Sequence, residues 1–424
     1  MSALPQPNRA RGESGRGGYQ RVRDATLALC DTLAPEDTVA QSMPDASPAK
    51  WHLAHTTWFF EQFLLAHFDP EYRRFHDGWD FLFNSYYQTV GSMHARPLRG
   101  LLTRPTLAEI RDYRRYVDAA MDRLLERRGG ESEVRARVTL GLNHEQQHQE
   151  LLLTDIQHLF SMNPLQPVFR EVPVAPASRS SALRFIDGRH GIIEAGHAGN
   201  GFAYDNESPR HRELLHPHRI AHRCVSNAEF REFIDAGGYR EPTLWLSDGW
   251  DTVRRERWSH PLYWGDELAT TFTLSGRRAI DPAAPVCHVS FFEADAFARW
   301  AGARLPTEFE WEAMATELPV AGNFADSGVL RPLPARARAA DPDQPVQMFG
   351  DVWEWTASPY VGYPGYRPAA GAIGEYNGKF MCGQWVLRGG SCATPAGHVR
   401  ATYRNFFYPA ARWQFSGLRL ARDA

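Results

Sequence analysis

The sequence predicts a helical bundle followed by an irregular α+β domain, and three observations carry that reading. From Tyr19 to Met162 apolar residues recur three and four apart, the period of a helix with one buried face. Between Asn163 and Ala182 the stretch NPLQPVFREVPVAPASRSSA is rich in Pro, Ser and Ala and reads as a connector. After Phe185 the chain is short apolar and aromatic segments cut by Gly, Pro, Asn and Asp. The expected organisation is a loose tail over 1–18, the bundle over 19–162, the connector over 163–184 and the second domain over 185–424. A chain of 424 residues is too long for one ordinary core and fits this division.

The elements follow in order. A first helix is expected over Tyr19–Leu33. The second begins at Ser47-Pro48, a cap residue followed by proline at the first helical position, and carries KWHLAHTTWFFEQFLL. The third opens at Thr106-x-x-Glu109, a capping box, sets Ile110, Tyr113, Val117, Met121 and Leu124 on one stripe, and stops at Gly129-Gly130. The fourth runs from Ser132 to Phe160, before Asn163-Pro164. One long connection, 68–105, joins the second to the third. Four amphipathic helices so connected imply a four-helix bundle, which builds metal sites from inward side chains. In the second domain, helices are expected only over Phe291–Ala301 and Glu308–Thr316.

Composition narrows the partners. A formal charge of −3 gives no broad attraction to nucleic acid or an anionic membrane, and no apolar run reaches the ~20 residues that span a bilayer. Small molecules are the expected partners, and the oligomeric state is open. Five scattered cysteines without a CxxC suit neither a disulfide framework nor a thiolate cage, so a cytoplasmic protein is expected. The first 18 residues lack an apolar export core.

The segment LNHEQQHQELLL contains His144-Glu145-x-x-His148, the spelling of a zinc-protease helix. Residues four apart share a helix face, so the two imidazoles can meet one ion. A protease needs a third ligand, and here the extended positions hold Leu151 and Thr154, while Glu171 lies beyond the helix end. The second helix offers His52 and His55. His55 shares its side with Trp51 and Trp58 or Phe59 and is the expected third ligand, whereas His52 is expected at a cap or the surface. Three imidazoles leave up to three positions open on an octahedral ion, and they also suit zinc.

The segments QSMPDASPAKWHLAHTTWFFE, LFNSYYQTVG, RGLLTRPT and GLNHEQQHQELLLTDI resemble the DinB-like bundle of the EgtB-type ergothioneine-biosynthesis sulfoxide synthases. The segments AGHAGNGFAYDNESPRH, FGDVWEWTASPY, GEYNGKFM, VLRGGSCAT and ATYRNFFYPAARWQFSGLRLARD resemble their second domain, which is similar to formylglycine-generating enzymes and C-type lectins. The resemblance implies a nonhaem Fe(II) enzyme that uses O₂ to join a thiol sulfur to imidazole C2 of Nα-trimethylhistidine (hercynine), yielding a sulfoxide. Its iron ligands would be His55, His144 and His148. Glu150 would support the ligands, and Glu145 would have no protease role. Gln147, Asn405 and Phe406 would bind hercynine, with Phe406 in place of a tryptophan. NSYY and EYNGKFM resemble the branch that takes cysteine directly, in which Tyr86 and Tyr87 are the active-site tyrosines. The active site is expected in the cleft between the domains.

Arg96 and Arg99 have the spacing of a carboxylate-gripping pair in the branch that uses a γ-glutamyl dipeptide. That branch has Asp and Arg where this chain has Phe407 and Ala411, which argues against the dipeptide. Formylglycine generation needs two cysteines near RGGS, and only Cys392 stands there. Two departures touch the donor pocket: YYQ for YYE, and Cys382-Gly383-Gln384-Trp385 where a polar CNQ and a small residue are expected. Selenoneine synthases, which use a selenosugar, are therefore the alternative; a DinB-type thiol transferase is a lesser one.

Overall fold

Helical periodicity and one capping box translate directly into the first third of the chain. The computed structural model describes residues 15–173, 181–199, 201–335 and 344–424. The chain divides into two compact units, Met1–Leu152 and Leu153–Ala424.

The first unit contains α1 (Arg16–Cys30), α2 (Ala49–Phe60), a π turn over Glu61–Leu65, α3 (Ala66–Phe68), α4 (Trp79–Phe83), α5 (Leu107–Arg128) and most of α6 (Ser132–Met162). Of the expected tail, residues 1–14 lie outside the described residues, and Arg16–Gly18 already form the first turn of α1. α1 ends at Cys30 rather than Leu33. α2 starts one residue later than its Ser-Pro signal. Pro48 is the extended cap residue, and the Ser47 hydroxyl accepts from Arg99 Nη1 at 2.9 Å instead of capping. The box at α5 forms as expected, with Thr106 Oγ1 accepting from Glu109 N at 3.2 Å and Glu109 accepting from Thr106 N at 2.7 Å. The long 68–105 connection is not structureless, since it holds α4 and a 3₁₀ turn over Arg96–Leu101.

Two features bring α2 against α6. Every residue of α2 is buried, so the helix is packed on all sides. On α6, Gly141 leaves room for aromatic rings: a Cβ there would lie 2.7 Å from Phe60 Cε1 and 3.0 Å from Phe59 Cε1. A helical glycine costs about 1 kcal/mol relative to alanine, and here the close approach of two helices offsets it.

The second unit holds β1 (Phe185–Asp187), β2 (Gly191–Ala195), β3 (His211–Leu215), β4 (His218–Ala221), α7 (Asn227–Asp235), α8 (Ser247–Glu256), β5 (Thr270–Thr273), β6 (Gly276–Ala279), α9 (Phe291–Trp300), α10 (Glu308–Ala315), β7 (Trp353–Pro359), β8 (Trp385–Arg388), β9 (Asn405–Phe407), β10 (Ser416–Leu418) and β11 (Ala421–Asp423). Its sheets run β1-β4-β11 and β10-β7-β8-β9, with hairpins β2-β3 and β5-β6. β10 pairs parallel to β7 at Ser416↔Trp353, and β8 pairs antiparallel to β9 at Val386↔Phe406. WEWTASPY is largely core: Trp353 and Trp355 are 2% and 0% exposed, while Ala357 and Pro359 face out. α7 and α8 were not expected. The Ser226-x-x-Glu229 box at α7 was a readable signal, because both of its hydrogen-bond arms form. Part of the expected connector packs into this unit: Phe169 is buried and its N–H donates to Leu274 O at 3.0 Å. Among the described residues no helix is long and apolar enough to cross a membrane.

Candidate metal centre

His55 lies on α2, His144 and His148 lie four apart on α6, and the three offer ligand nitrogens within 4.8 Å of one another. Their ring centroids form a near-equilateral triangle: 4.9 Å from His55 to His144, 4.7 Å from His55 to His148, and 4.6 Å from His144 to His148. His55 Nε2 faces His144 Nε2 at 3.2 Å.

Protonation follows from the partners. His55 Nδ1 lies 2.6 Å from Phe83 O, and a carbonyl only accepts, so Nδ1 carries the proton and Nε2 keeps its lone pair. Burial, then the neighbouring His144, holds the His55 pKa well below the ordinary value; burial takes His144 down to about 3 and also pushes His148 well down. All three rings are therefore neutral at pH 7. Three buried, neutral imidazoles with converging nitrogens fit a divalent metal, which needs lone pairs and no competing protons.

The surroundings fix the rings. Trp51 stacks on His55 at 4.5 Å and 11°, Trp58 stacks on it at 5.7 Å and 19°, and Phe59 packs against His144 at 4.7 Å. The Arg99 guanidinium lies 3.4 Å from the Trp51 ring centre. His52 is 2% exposed, not a surface or cap residue, and its Nδ1 lies 2.8 Å from His148 Nδ1. The readable signal was α2 itself, whose apolar character leaves no wet face for a histidine.

Glu145 turns away from protease chemistry. Its carboxylate pairs with Arg114 Nη2, with Arg23 Nη1 at 2.9 Å, and accepts from Thr26 Oγ1 at 2.6 Å. Burial pushes its pKa up, but the Arg114 and Arg23 guanidiniums outweigh it and hold the carboxyl at about 2. A base so clamped cannot take a proton from water near neutral pH. Arg114 was legible as the odd charge in the stripe between Ile110 and Val117.

The remaining expected residues divide between the two units. In the first, Tyr86 Oη and Tyr87 Oη lie 3.4 Å apart; Tyr87 is buried, with its ring 5.8 Å from Trp58. Gln147 is half-buried and Glu150 buried. Arg96 and Arg99 are not equivalent: Arg96 is exposed, while Arg99 is buried and donates to Ser47 Oγ at 2.9 Å and Ser85 Oγ at 3.2 Å. In the second unit, Asn405 and Phe406 are half-buried on β9. Asn405 Oδ1 accepts from Phe406 N at 2.9 Å, and the Phe406 ring stacks on Tyr360 at 4.0 Å. Trp385 stacks on Phe291 at 4.0 Å. Cys382 and Cys392 are both free thiols, the first exposed and the second buried.

Residues 19–152 match the DinB superfamily, and residues 184–424 match the sulfatase-modifying factor enzyme 1-like domain. The molecule is thus a DinB-type helical unit joined to a sulfatase-modifying-factor-type unit. Proteins named hercynine oxygenase match across both units: that of Mycobacterium tuberculosis is 33% identical over 95% of this chain and 97% of its own, and that of Mycolicibacterium thermoresistibile is 33% identical over 95% and 93%. The chain belongs to the hercynine oxygenase family, the EgtB-type sulfoxide synthases that its motifs resemble. Ergothioneine biosynthesis protein 1 of Schizosaccharomyces pombe is 27% identical over 52% of this chain and 28% of its own.

Proposed function

We propose that this protein is an Fe(II)- and O₂-dependent hercynine oxygenase that joins cysteine sulfur to imidazole C2 of hercynine, giving a hercynyl-cysteine sulfoxide for ergothioneine biosynthesis. The observation that supports this best is the convergence of His55, His144 and His148, all buried and neutral. The reaction balances as hercynine plus cysteine plus O₂ giving the sulfoxide plus water. The imidazole loses its C2 hydrogen, the thiol loses its hydrogen, and the four electrons released by forming the C–S and S–O bonds reduce O₂.

Iron held by the three histidines would supply O₂ activation and a binding position for the thiolate. The chain's own residues do the rest. Trp51 and Trp58 hold the His55 ring in plane, and the Phe83 carbonyl fixes its tautomer. In this reading Gln147 and Asn405 hydrogen-bond hercynine, and the half-buried Phe406 ring takes its trimethylammonium group by cation–π attraction of about 1 kcal/mol. Tyr86 and Tyr87 supply phenolic hydrogen to developing charge on oxygen, which favours bond formation over oxidation of cysteine alone. Arg96 and Arg99 would meet substrate carboxylate in the dipeptide branch; the pairing of Arg99 with Ser47 and Ser85 supports a structural use for it instead. Five free cysteines support a cytoplasmic setting.

A second reading, C–Se bond formation from a selenosugar, is favoured by Trp385, a large ring where a small residue is expected in the direct-cysteine branch. Anaerobic loading with Fe(II), then oxygen with hercynine and either cysteine or a selenosugar, tests both. Product mass distinguishes the donors. Failure to consume oxygen with either donor rejects the proposal.

A further inference from the structure

One cavity of the second unit shares no lining residue with the histidine cluster, Tyr86, Tyr87, Asn405 or Phe406. It encloses about 780 Å³, within the range of about 300–1,000 Å³ of small-molecule sites. Trp264, Phe272 and Phe415 give it apolar walls, and Arg278 and Arg331 give it charge.

The two arginines line the cavity together with one carboxylate, Asp281. Among the described residues neither forms an ion pair; Arg278 donates to Ser275 O at 3.2 Å and Val172 O at 2.6 Å, and Arg331 reaches Pro173 O at 3.5 Å. A guanidinium has five N–H donors, so most of Arg331's are unused. Burial and the neighbouring Arg278 charge lower the Arg331 pKa more than Asp281, the carboxylate that also lines the cavity, raises it.

The floor carries a complementary vacancy for a donor. His288 Nδ1 lies 2.9 Å from Gln414 O, so that nitrogen bears the proton and Nε2 must accept. Nε2 accepts from Gln157 Nε2 at 3.0 Å, which fixes the orientation of the Gln157 amide. Its Oε1 has no hydrogen-bond partner among the described residues, although Gln157 lines the cavity and is only 1% exposed. Buried acceptors are nearly always paired. His288 itself holds a left-handed backbone at φ 62°, and its bonds to Gln414 and Gln157 pin it in that conformation.

We propose that this cavity binds a small organic anion, with a carboxylate or phosphate on Arg278 and Arg331, an apolar body against Phe272 and Phe415, and a hydroxyl or amine donating to Gln157 Oε1. None of its residues is used by the reaction proposed above.

The test uses full-length protein and calorimetric titration with 4-hydroxybenzoate and 4-hydroxyphenyl phosphate, with benzoate and phenol as comparisons. One equivalent of a hydroxylated anion should bind, its affinity falling with salt, and phenol should bind about tenfold more weakly or worse. The tighter of the two anions identifies the preferred headgroup. Arg331→Glu, at a half-exposed position, should weaken binding about tenfold or more while melting like the parent protein. Gln157→Leu should abolish the preference for 4-hydroxybenzoate over benzoate, and His144→Ala should leave binding intact. The proposal fails if neither anion binds at millimolar concentration, if Arg331→Glu binds as the parent does, or if His144→Ala removes binding.

Discussion

His52 Nδ1 sits 2.8 Å from His148 Nδ1, between two buried rings on different helices. One of the two nitrogens must donate and the other accept. With Nδ1 of His148 committed to this bond, its Nε2 is the lone pair left for the cluster, and His52 sets the tautomer. Partners of this kind are worth about 10–100-fold in metal affinity. Asparagine places an acceptor close to the position of Nδ1, so His52→Asn should keep most of the affinity, whereas His52→Leu should lose about tenfold or more. Titration with Co(II), read by its visible absorption, measures both. Equal affinity in the two variants would remove His52 from this role.

The cluster predicts a separation of metal binding from folding. Replacing His144 by alanine removes one of three ligands and one buried polar ring, so metal binding should weaken at least about 100-fold and oxygen uptake should vanish. The thermal midpoint of the metal-free variant should stay near that of the metal-free parent. Retained stoichiometric metal would show that the three rings do not bind one ion.

Glu145 predicts a stability effect. Glu145→Gln leaves Arg23 and Arg114 buried without their anion and should cost about 3 kcal/mol or more in urea unfolding. The pH dependence has a defined sign. The folded carboxyl titrates at about 2, below its ordinary 4.5, so the unfolded chain binds more protons in that interval. Its stabilisation is complete above pH 4.5 and is lost as pH falls towards 2. Urea midpoints measured across that interval should converge for parent and variant.

Phe406 predicts a change in substrate affinity. Phe406→Leu should raise KM for hercynine about fivefold, in line with ~1 kcal/mol for a lost cation–π contact, with little change in kcat. Phe406→Trp should restore or lower KM. An unchanged KM in the leucine variant would take the ring out of substrate binding.

The phenol pair predicts a change in product. Tyr86→Phe and Tyr87→Phe each remove one hydroxyl from a 3.4 Å pair without removing a ring. If a phenol supplies hydrogen during bond formation, one of these variants should shift product from sulfoxide towards oxidised cysteine at similar oxygen uptake. Mass analysis of both products measures the ratio, and unchanged ratios in both variants would exclude the role.

Much of this arrangement was readable from local spacing. A spacing of four from His144 to His148 puts them on one face of any α-helix, and the Thr106–Glu109 box started α5 where it was expected. These features depend on residues within a turn or two of each other, where helix geometry alone fixes direction.

What only the tertiary structure decided are relations between distant segments. α2 is buried on every side, so periodicity gave His52 no outward direction; packing against α6 made it a partner of His148 and brought His55 to His144. Packing likewise put Arg99 over Trp51 and closed Arg23 and Arg114 on Glu145. Such contacts depend on the rotation and separation of whole helices, set here by groups as small as the missing side chain of Gly141, and no local pattern encodes them.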